Sequence, residues 1–230
     1  YLDSVPNSQE ALNGLKGCQQ APIWKKQGSL YTIKKQPILS SRRADYSPAL
    51  YGEDYDQLYF TTTRPQASGD DLSGVTGVKM ADIFFSQKDD KGKWGKPEAV
   101  AGELNSAYED GACSFSPDGK TMYFTRCTHD PSYPRYAKIM SSSRADAAWS
   151  KAQEIEIIND TLSSFAYPAV SPDGQWLYFS SDMPGGFGGM DLWKISLGNN
   201  DYVIPENLGP EINTFADEVF PSFRPNGQLY

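Results

Sequence analysis

The amino-acid sequence has no long apolar run and only three cysteines in 230 residues. No stretch approaches the roughly 20 apolar residues that a membrane-spanning helix needs, so none is predicted. If Asp118-Gly119 forms a two-residue hairpin turn, Cys113 faces Phe124 and Cys127 faces Asp110. The two thiols would then lie roughly 10 Å apart, too far for a disulfide. These two thiols are therefore expected to be free and mostly buried, and Cys18, in a separate N-terminal segment, has no obvious partner.

Positive charge is also scarce. The chain has 21 Lys and Arg against 29 Asp and Glu, a net charge of −8 and an isoelectric point near 4.7. Such a surface repels a phosphate backbone, so nucleic acid is not an expected partner.

The sequence also lacks recognisable catalytic and metal-binding motifs. The chain has one histidine, His129, and no nucleophile-elbow motif with a serine that this histidine could activate. We therefore expect His129 to be a solvated loop residue and the protein not to be an enzyme. The acidic pairs Asp70-Asp71, Glu109-Asp110 and Asp217-Glu218 lack the spacing of a calcium loop, which leaves loop calcium open but unsupported. The glycine-rich run 184–189 lacks the lysine and following helix of a phosphate site, so we expect a turn and no cofactor.

What the sequence does contain is a hairpin that recurs four times, at 51–60, 116–124, 171–179 and, cut short, 224–230. The first three copies end in Leu/Met-Tyr-Phe, with Phe60, Phe124 and Phe179 separated by 64 and 55 positions. In Ser-Pro-Asp-Gly, proline presets φ, aspartate bonds its own backbone, and glycine takes the positive φ of the turn. A repeat of this size with only strand-like segments predicts an all-β fold of β-propeller blades.

Each repeat is predicted to hold four antiparallel strands. The inner strands are predicted at 46–50, 112–115, 167–170 and 219–223, and the second strands at 58–62, 122–126 and 177–180. The third strands are predicted at 82–86, 137–141 and 191–195. The fourth strands are marked by 97–100, 152–155 and 203–207. Propellers close with roughly four to eight blades. The propeller, assigned to residues 22–230, is therefore expected to be partial, with about three to four blades, and to continue beyond residue 230.

Residues 1–21 show a different pattern. Apolar residues recur at helical spacing behind an Asn7 or Ser8 cap, namely Ala11, Leu12, Leu15 and Cys18. The pattern predicts one helix, joined to the repeats at Pro22, that either ends a preceding helical domain or packs on the propeller. Leu30–Ile38 alternates like an edge strand and is predicted to complete the last blade.

The Ser-Pro-Asp-Gly-x3-Tyr-Phe units resemble TolB-type propeller repeats, which are like WD repeats. The stretch Ser180-Ser-Asp-Met-Pro-Gly-Gly-Phe-Gly-Gly-Met-Asp-Leu-Trp193 is similar to a signature of OmpA-family envelope proteins of Bacteroidota-type bacteria. Residues 1–21 resemble the C-terminal helix of a tetratricopeptide (TPR) domain. A helical-repeat domain followed by this propeller is the order found in the PorE-like component of the type IX secretion system. The first repeat departs from the pattern with Gly52-Glu-Asp-Tyr55, and the fourth with Arg-Pro-Asn-Gly.

The resemblance implies a non-enzymatic, protein-binding scaffold in the periplasm, associated with the outer membrane. The implied partners are other envelope or secretion-system proteins, and peptidoglycan through a domain outside this chain. Two alternatives stay open: the substrate-gating propeller of a serine oligopeptidase, and a propeller that binds glycan or peptidoglycan fragments through aromatic loops.

Blade geometry indicates where partners bind. The loops after the second and fourth strands emerge together, opposite the Pro-Asp-Gly turns, and they are the longer and more varied loops. Acidic and aromatic residues there would suit a partner with basic and apolar groups. The candidate partner-binding residues are Asp70, Asp71, Tyr108, Glu109, Asp110, His129, Tyr133, Phe165, Phe187, Phe215, Asp217 and Glu218.

Overall fold

The computed structural model describes residues 4–29, 31–52, 54–74, 76–128, 136–144, 148–159, 162–198 and 204–230. The chain divides into two compact units, Tyr1–Gln36 and Pro37–Tyr230. The first unit holds one helix and the second holds all the strands.

Helix α1 spans Gln9–Gln27 in the first unit. The Ser8 hydroxyl caps it by accepting the N–H of Ala11 at 3.3 Å. The predicted helix end at residue 21 is wrong, because Pro22 lies inside the helix. Proline removes one backbone hydrogen bond, but it is Gly28, at φ +72°, that ends the helix. Among the described residues, no helix is long and apolar enough to cross a membrane.

The segment 31–44 contains no strand. The edge strand predicted at Leu30–Ile38 is therefore wrong for the residues described, and Leu30 itself lies outside them. Ile33 is 94 % exposed, so the alternating pattern buries no apolar face. Alternation specifies a strand only where one of its faces has a core to cover.

Three four-stranded antiparallel sheets make up the second unit, one from each complete repeat. The first contains β1 (Asp45–Tyr51), β2 (Gln57–Thr62), β3 (Asp82–Gln87) and β4 (Glu98–Ala99); the second β5 (Glu109–Phe115), β6 (Thr121–Thr128), β7 (Tyr136–Ser143) and β8 (Gln153–Glu154); the third β9 (Phe165–Val170), β10 (Trp176–Ser181), β11 (Asp191–Ser196) and β12 (Glu206–Asn207). Strands adjoin in sequence order within each sheet, as in propeller blades. The predicted all-β propeller fold is confirmed, with fourth strands of only two residues.

The fourth repeat forms a short hairpin. Ser222 and Tyr230 exchange backbone hydrogen bonds at 3.0 and 2.9 Å. Phe223 and Leu229 form an isolated bridge. Because this pairing is too short to count as a strand, the inner strand predicted at 219–223 is not formed.

Each inner strand has one residue in the left-handed region of backbone conformation. These residues are Ser47, Ala112, Tyr167 and, in the fourth repeat, Phe220, with φ of 48°, 49°, 56° and 57°. In the three complete blades the pairing shifts by one residue at this point, which marks a β-bulge.

The bulge in β5 corrects one expected pairing. Cys127 pairs with Glu109, not with Asp110 as the regular register predicts. None of the three cysteines is in a disulfide bond, as predicted; Cys113 and Cys127 are half-buried and Cys18 is exposed.

The Tyr-Phe pair of each second strand covers both faces of its blade, because successive residues of a strand point to opposite sides. Phe124 lies in the buried cluster between the first and second blades, and Phe179 in the cluster between the second and third. Tyr59 belongs to the first of these clusters, and Tyr123 packs against the second. Phe124 and Phe179 thus contact the preceding blade, Tyr59 and Tyr123 contact the following one, and most of the core lies between the blades, while Phe60 packs with Leu58 and Phe84 of its own blade.

Candidate partner-binding face

The loops after the second and fourth strands of each blade lie at the end opposite the hairpin turns. We call this end the loop face; its described parts are residues 63–74, 76–81, 100–108, 155–159, 162–164, 182–190 and 208–217. Hydrogen bonds join the two kinds of loop. The N–H of Asp110 donates to the carbonyl of Ala81 at 2.8 Å, and the N–H of Glu218 donates to the carbonyl of Met190 at 2.6 Å.

Two buried or half-buried asparagines hold the connectors that lead from one blade to the next. Asn105 accepts the N–H of Ile83 at 3.0 Å and donates to its carbonyl at 3.0 Å. Asn213 makes the same pair of bonds with Leu192, at 2.8 and 3.0 Å. The connectors are thereby fixed to the third strand of their own blade, so residues beyond each asparagine are displayed in a defined position.

Acidic side chains near the start of the inner-strand segments hold the chain that precedes them, which in two cases is a connector already held by an asparagine. The carboxylates accept a backbone N–H from four residues earlier, at 2.7, 2.7 and 2.8 Å, in the pairs Asp45 with Ser41, Asp110 with Ser106, and Glu218 with Thr214. Asp110 is 0 % exposed and also pairs with Arg126 at 2.6 Å. Two of the predicted partner-binding acids, Asp110 and Glu218, thus bond to the protein's own loops.

Asp45 and Arg64 form an ion pair on this face. The Arg64 guanidinium lies 3.2 Å from the Asp45 carboxylate, and it stacks 5.2 Å from the ring centre of Phe60. Burial acts to raise the pKa of Asp45, but hydrogen bonds from Thr62 and Ser41, with the charge of Arg64, hold this pKa below its ordinary value. Asp45 therefore stays ionised and anchored at neutral pH.

Each connector exposes a large apolar side chain. Tyr108 is 49 % exposed, Leu162 66 % and Phe215 80 %. Tyr108 directly precedes Glu109, and Phe215 lies two residues before Asp217. Large apolar groups on fixed loops at a surface are typical of contact sites for other molecules.

The glycine-rich loop 184–190 folds around the carboxylate of Asp191. This carboxylate accepts the N–H of Phe187 at 2.7 Å, that of Gly188 at 3.2 Å and the side-chain amide of Asn207 at 2.8 Å. A Cβ atom on Gly188 would lie 2.7 Å from the Cα of Phe215, so glycine is needed for the loop to pack on the connector. The predicted glycine-rich turn is present, and it packs the backbone that follows the half-exposed Phe187 against the backbone of Phe215.

The predicted residues of the third blade come together in this way. Phe187, Phe215 and Asp217 form what we call the Phe patch; Asp217 also accepts the N–H of Met190 at 2.8 Å. Glu218 follows in the chain.

A second group forms at the first blade. A Cβ on Gly69 would lie 3.3 Å from the Cα of Ala107, so the loop carrying Asp70 and Asp71 packs on the connector carrying Tyr108 and Glu109. The Asp70 carboxylate is fully exposed and lies 4.0 Å from the Lys79 ammonium.

Other predicted residues lie elsewhere. Phe165 is buried with its ring centre 6.0 Å from that of Phe179, so it belongs to the core. His129 and Tyr133 lie outside the described residues. Within the described part of the chain, no three His, Cys, Asp or Glu side chains are grouped as metal ligands would be.

The structure also contains a groove that the sequence analysis does not predict. It has a volume of about 930 Å³ and runs along the inner strands and the fourth hairpin. Tyr46, Tyr55 and Phe220 are exposed aromatic residues on its wall, and Arg224 is the one charged residue among its described lining residues. The left-handed residues Ser47, Ala112, Tyr167 and Phe220 all line this groove, and left-handed backbone at a non-glycine residue has no clear mark in the sequence.

The asparagine clamps do have a mark. Leu104-Asn105-Ser106, Ile158-Asn159-Asp160 and Ile212-Asn213-Thr214 share an apolar-Asn-polar pattern, and the asparagines are 54 residues apart in both intervals. This second repeated motif marks the connector asparagines in the sequence.

No protein-family model matches the chain, and no curated protein matches it. Solved structures do show similarity. One is a candidate TolB from Agrobacterium tumefaciens, 19 % identical with a TM-score of 0.47, covering 76 % of this chain and 48 % of the other. A second is a puromycin-hydrolyzing peptidase of Mycobacterium tuberculosis, 16 % identical with a TM-score of 0.45, covering 73 % and 24 %.

A third similar structure is an alpha-L-arabinofuranosidase of Lactobacillus brevis, 13 % identical with a TM-score of 0.48, covering 80 % of this chain and 64 % of the other. The chain thus spans about half, a quarter and two thirds of the lengths of these three proteins. The propeller assignment itself rests on the three four-stranded sheets and their packing.

Proposed function

We propose that this chain is a non-enzymatic, protein-binding scaffold of the bacterial cell envelope. The observation that carries the proposal is the Phe patch, in which two exposed phenylalanines on tightly held loops lie beside an acidic side chain. A loop that is already held in place loses little conformational entropy on binding, which makes the aromatic side chains that it carries suitable anchors for a partner.

The charge of the loop face indicates the kind of partner. Asp70, Asp71 and Asp217 lie near exposed apolar groups, and the whole chain carries a net charge of −8. A protein surface with apolar side chains flanked by lysine or arginine would complement it.

The more specific assignment is a periplasmic, outer-membrane-associated subunit of the type IX secretion system. It is supported by the resemblance of residues 180–193 to the OmpA-family signature and by the order of a helix followed by a propeller. The proposed partners are other envelope or secretion-system proteins, with peptidoglycan bound through a domain outside this chain.

Affinity capture from envelope extracts tests the scaffold. The chain is immobilised, bound proteins are identified by mass spectrometry, and the affinity of the recovered partner is then measured with purified proteins. The variant F187A/F215A is expected to bind that partner at least about tenfold more weakly. I204A is the matched control, because Ile204 is 76 % exposed but lies at the opposite end of the blade.

A pair of charge reversals tests the face independently. D71K on the loop face should weaken binding, whereas D54K in the first hairpin turn should not, although both replace an exposed aspartate with lysine. Equal loss in the two variants, or recovery of no envelope or secretion protein under conditions that preserve complexes, would contradict the proposal.

A second candidate function is binding of a glycan or peptidoglycan fragment, and the inner-strand groove favours it. Its volume lies in the range of ligand sites, and its aromatic walls and Arg224 could stack on a sugar and bind a carboxylate. Titration of the chain with a soluble peptidoglycan fragment tests it by NMR shifts of the groove residues. The serine oligopeptidase alternative stays a prediction.

A further inference from the structure

Asp82 and Asp191 occupy equivalent positions, each as the first residue of the third strand in its blade. Asp191 accepts hydrogen bonds on both carboxylate oxygens. Asp82 accepts the N–H of Ser68 at 2.5 Å through Oδ2, but its Oδ1 has no hydrogen-bond partner in the described part of the chain. Asp82 is 0 % exposed, so solvent does not replace the missing donor.

The difference traces to the fourth strand. In the third blade Asn207 pairs with Trp193 and donates its side-chain amide to Asp191 at 2.8 Å. In the first blade Ala99 pairs with Phe84, the residue equivalent to Trp193, and therefore stands where Asn207 does. Alanine has no donor, which leaves Oδ1 of Asp82 unsatisfied.

We propose that Asp82 is a protonation-sensitive latch for the segment 64–72, which carries Asp70, Asp71 and Leu72 to the loop face. The neutral carboxyl holds Ser68 in place. The ionised form puts a buried charge with one unpaired oxygen at the base of the segment, which lowers the stability of the closed state.

Charged groups near Asp82 affect its ionisation. Asp110, at the start of β5, adds like charge, although its own carboxylate pairs with Arg126 at 2.6 Å. Lys79 opposes it with positive charge, but this ammonium also donates to the carbonyl of Ala67 at 3.0 Å. The positive groups nearby are thus already engaged, and neither donates a hydrogen bond to Oδ1.

The latch weakens as the pH rises. Burial raises the pKa of Asp82 above its ordinary 3.8, against the lowering effect of the Ser68 hydrogen bonds. A carboxyl with a raised pKa in the closed state stabilises that state fully at low pH. This contribution is lost as pH rises through the closed-state pKa, so the segment opens more often at higher pH.

Amide hydrogen exchange of the full 230-residue chain tests the latch between about pH 4 and pH 8, with rates corrected for intrinsic exchange. The protection of the Ser68 amide should fall about tenfold for each unit by which the closed-state pKa exceeds the open-state one. The midpoint should match the titration of the Asp82 carboxyl carbon followed by NMR. A carboxyl that titrates at or below its ordinary pKa, or a Ser68 protection that does not change with pH, overturns the proposal.

Two variants separate the latch from other causes. A99N supplies the donor that Asn207 supplies in the third blade, and it should abolish the fall in protection; Ala99 is exposed, so folding is preserved. E98N places the same asparagine side chain at the neighbouring residue, which faces the other side of the sheet, and should leave the fall intact. An unchanged pH dependence in A99N overturns the latch. None of these readouts requires a partner, so the result is independent of the scaffold proposal.

Discussion

The hydroxyl of Thr61 in the first blade accepts a hydrogen bond from the backbone N–H of Ala112 in the second, at 3.0 Å. Thr125 and Tyr167 repeat this contact between the second and third blades, at 2.8 Å. Both N–H donors belong to the left-handed residue of an inner-strand bulge. At a bulge, one backbone N–H cannot bond to the neighbouring strand of its own sheet, and here the threonine of the preceding blade supplies the acceptor.

The first prediction concerns this contact. Replacing Thr61 with valine keeps the side-chain shape but leaves the Ala112 N–H without its acceptor. We expect the free energy of unfolding to decrease by about 1–2 kcal/mol, measured by urea denaturation followed by circular dichroism. Thr125→Val should behave in the same way.

Ser180 provides the control for this prediction. It occupies the same position in the third blade and is buried, but its hydroxyl has no hydrogen-bond partner in the described residues. Ser180→Ala should therefore be neutral or slightly stabilising. A loss of stability equal to that of Thr61→Val would contradict the role given to the threonines.

The second prediction concerns the asparagine clamp. Asn213 is buried and donates its amide to the carbonyl of Leu192 at 3.0 Å and to the side-chain oxygen of Asn207 at 2.8 Å. Asn213→Asp removes both donors and adds a buried charge, so we expect a loss of about 3 kcal/mol or more at neutral pH. Part of this loss should be recovered in acid, where the aspartate is protonated.

Asn226→Asp is the matched control, because Asn226 is exposed and its side-chain oxygen accepts the N–H of Gln228 at 3.1 Å. An aspartate can accept the same bond. If the free energies of unfolding of the two variants change in the same way between acid and neutral pH, the role given to the Asn213 clamp is contradicted.

The fold could be predicted from the sequence because its signal is local. The turn Ser116-Pro-Asp-Gly119 and the alternation that follows it determine a hairpin within ten residues, and the repeat then implies a blade. The Tyr-Phe pair is also a local signal. Two successive apolar residues in a strand point to opposite faces, so the pair predicts that both faces of the strand are buried.

The candidate site could be predicted only in part, because its features depend on contacts between distant residues. The loop face follows from blade topology, so Phe187 and Phe215 were identifiable. Whether an acid in a loop is exposed depends on its partners, and Asp110 is buried with Arg126 from another strand. The bulges place left-handed backbone at Ser47 and Tyr167, residue types that give no warning of it.

The third prediction concerns thiol reactivity. Burial raises the pKa of the Cys113 thiol to about 12, so the reactive thiolate is rare at neutral pH. Cys18 lies exposed on α1. We expect iodoacetamide to label Cys18 rapidly in the folded protein at mildly alkaline pH, and Cys113 only after denaturation. Mass spectrometry of labelled peptides measures both rates, and equal rates in the folded protein would show that Cys113 is not shielded.

The last prediction tests how the Phe patch is built. Gly188 has no positive φ, but a Cβ there would lie 2.5 Å from the Thr214 carbonyl oxygen and 2.7 Å from the Cα of Phe215. Gly188→Ala must therefore push the glycine-rich loop off the connector, and we expect the free energy of unfolding to decrease by about 2–3 kcal/mol.

Gly74→Ala is the matched control, because Gly74 also lies on the loop face without a positive φ and a Cβ there meets nothing within 4 Å. This control should be neutral or slightly stabilising, since alanine restricts the unfolded chain. Thermal unfolding compares the two, and NMR shifts of the Phe187 and Phe215 rings should move in Gly188→Ala alone. Unmoved rings with full stability in Gly188→Ala would mean that the two phenylalanines are not held together by this contact.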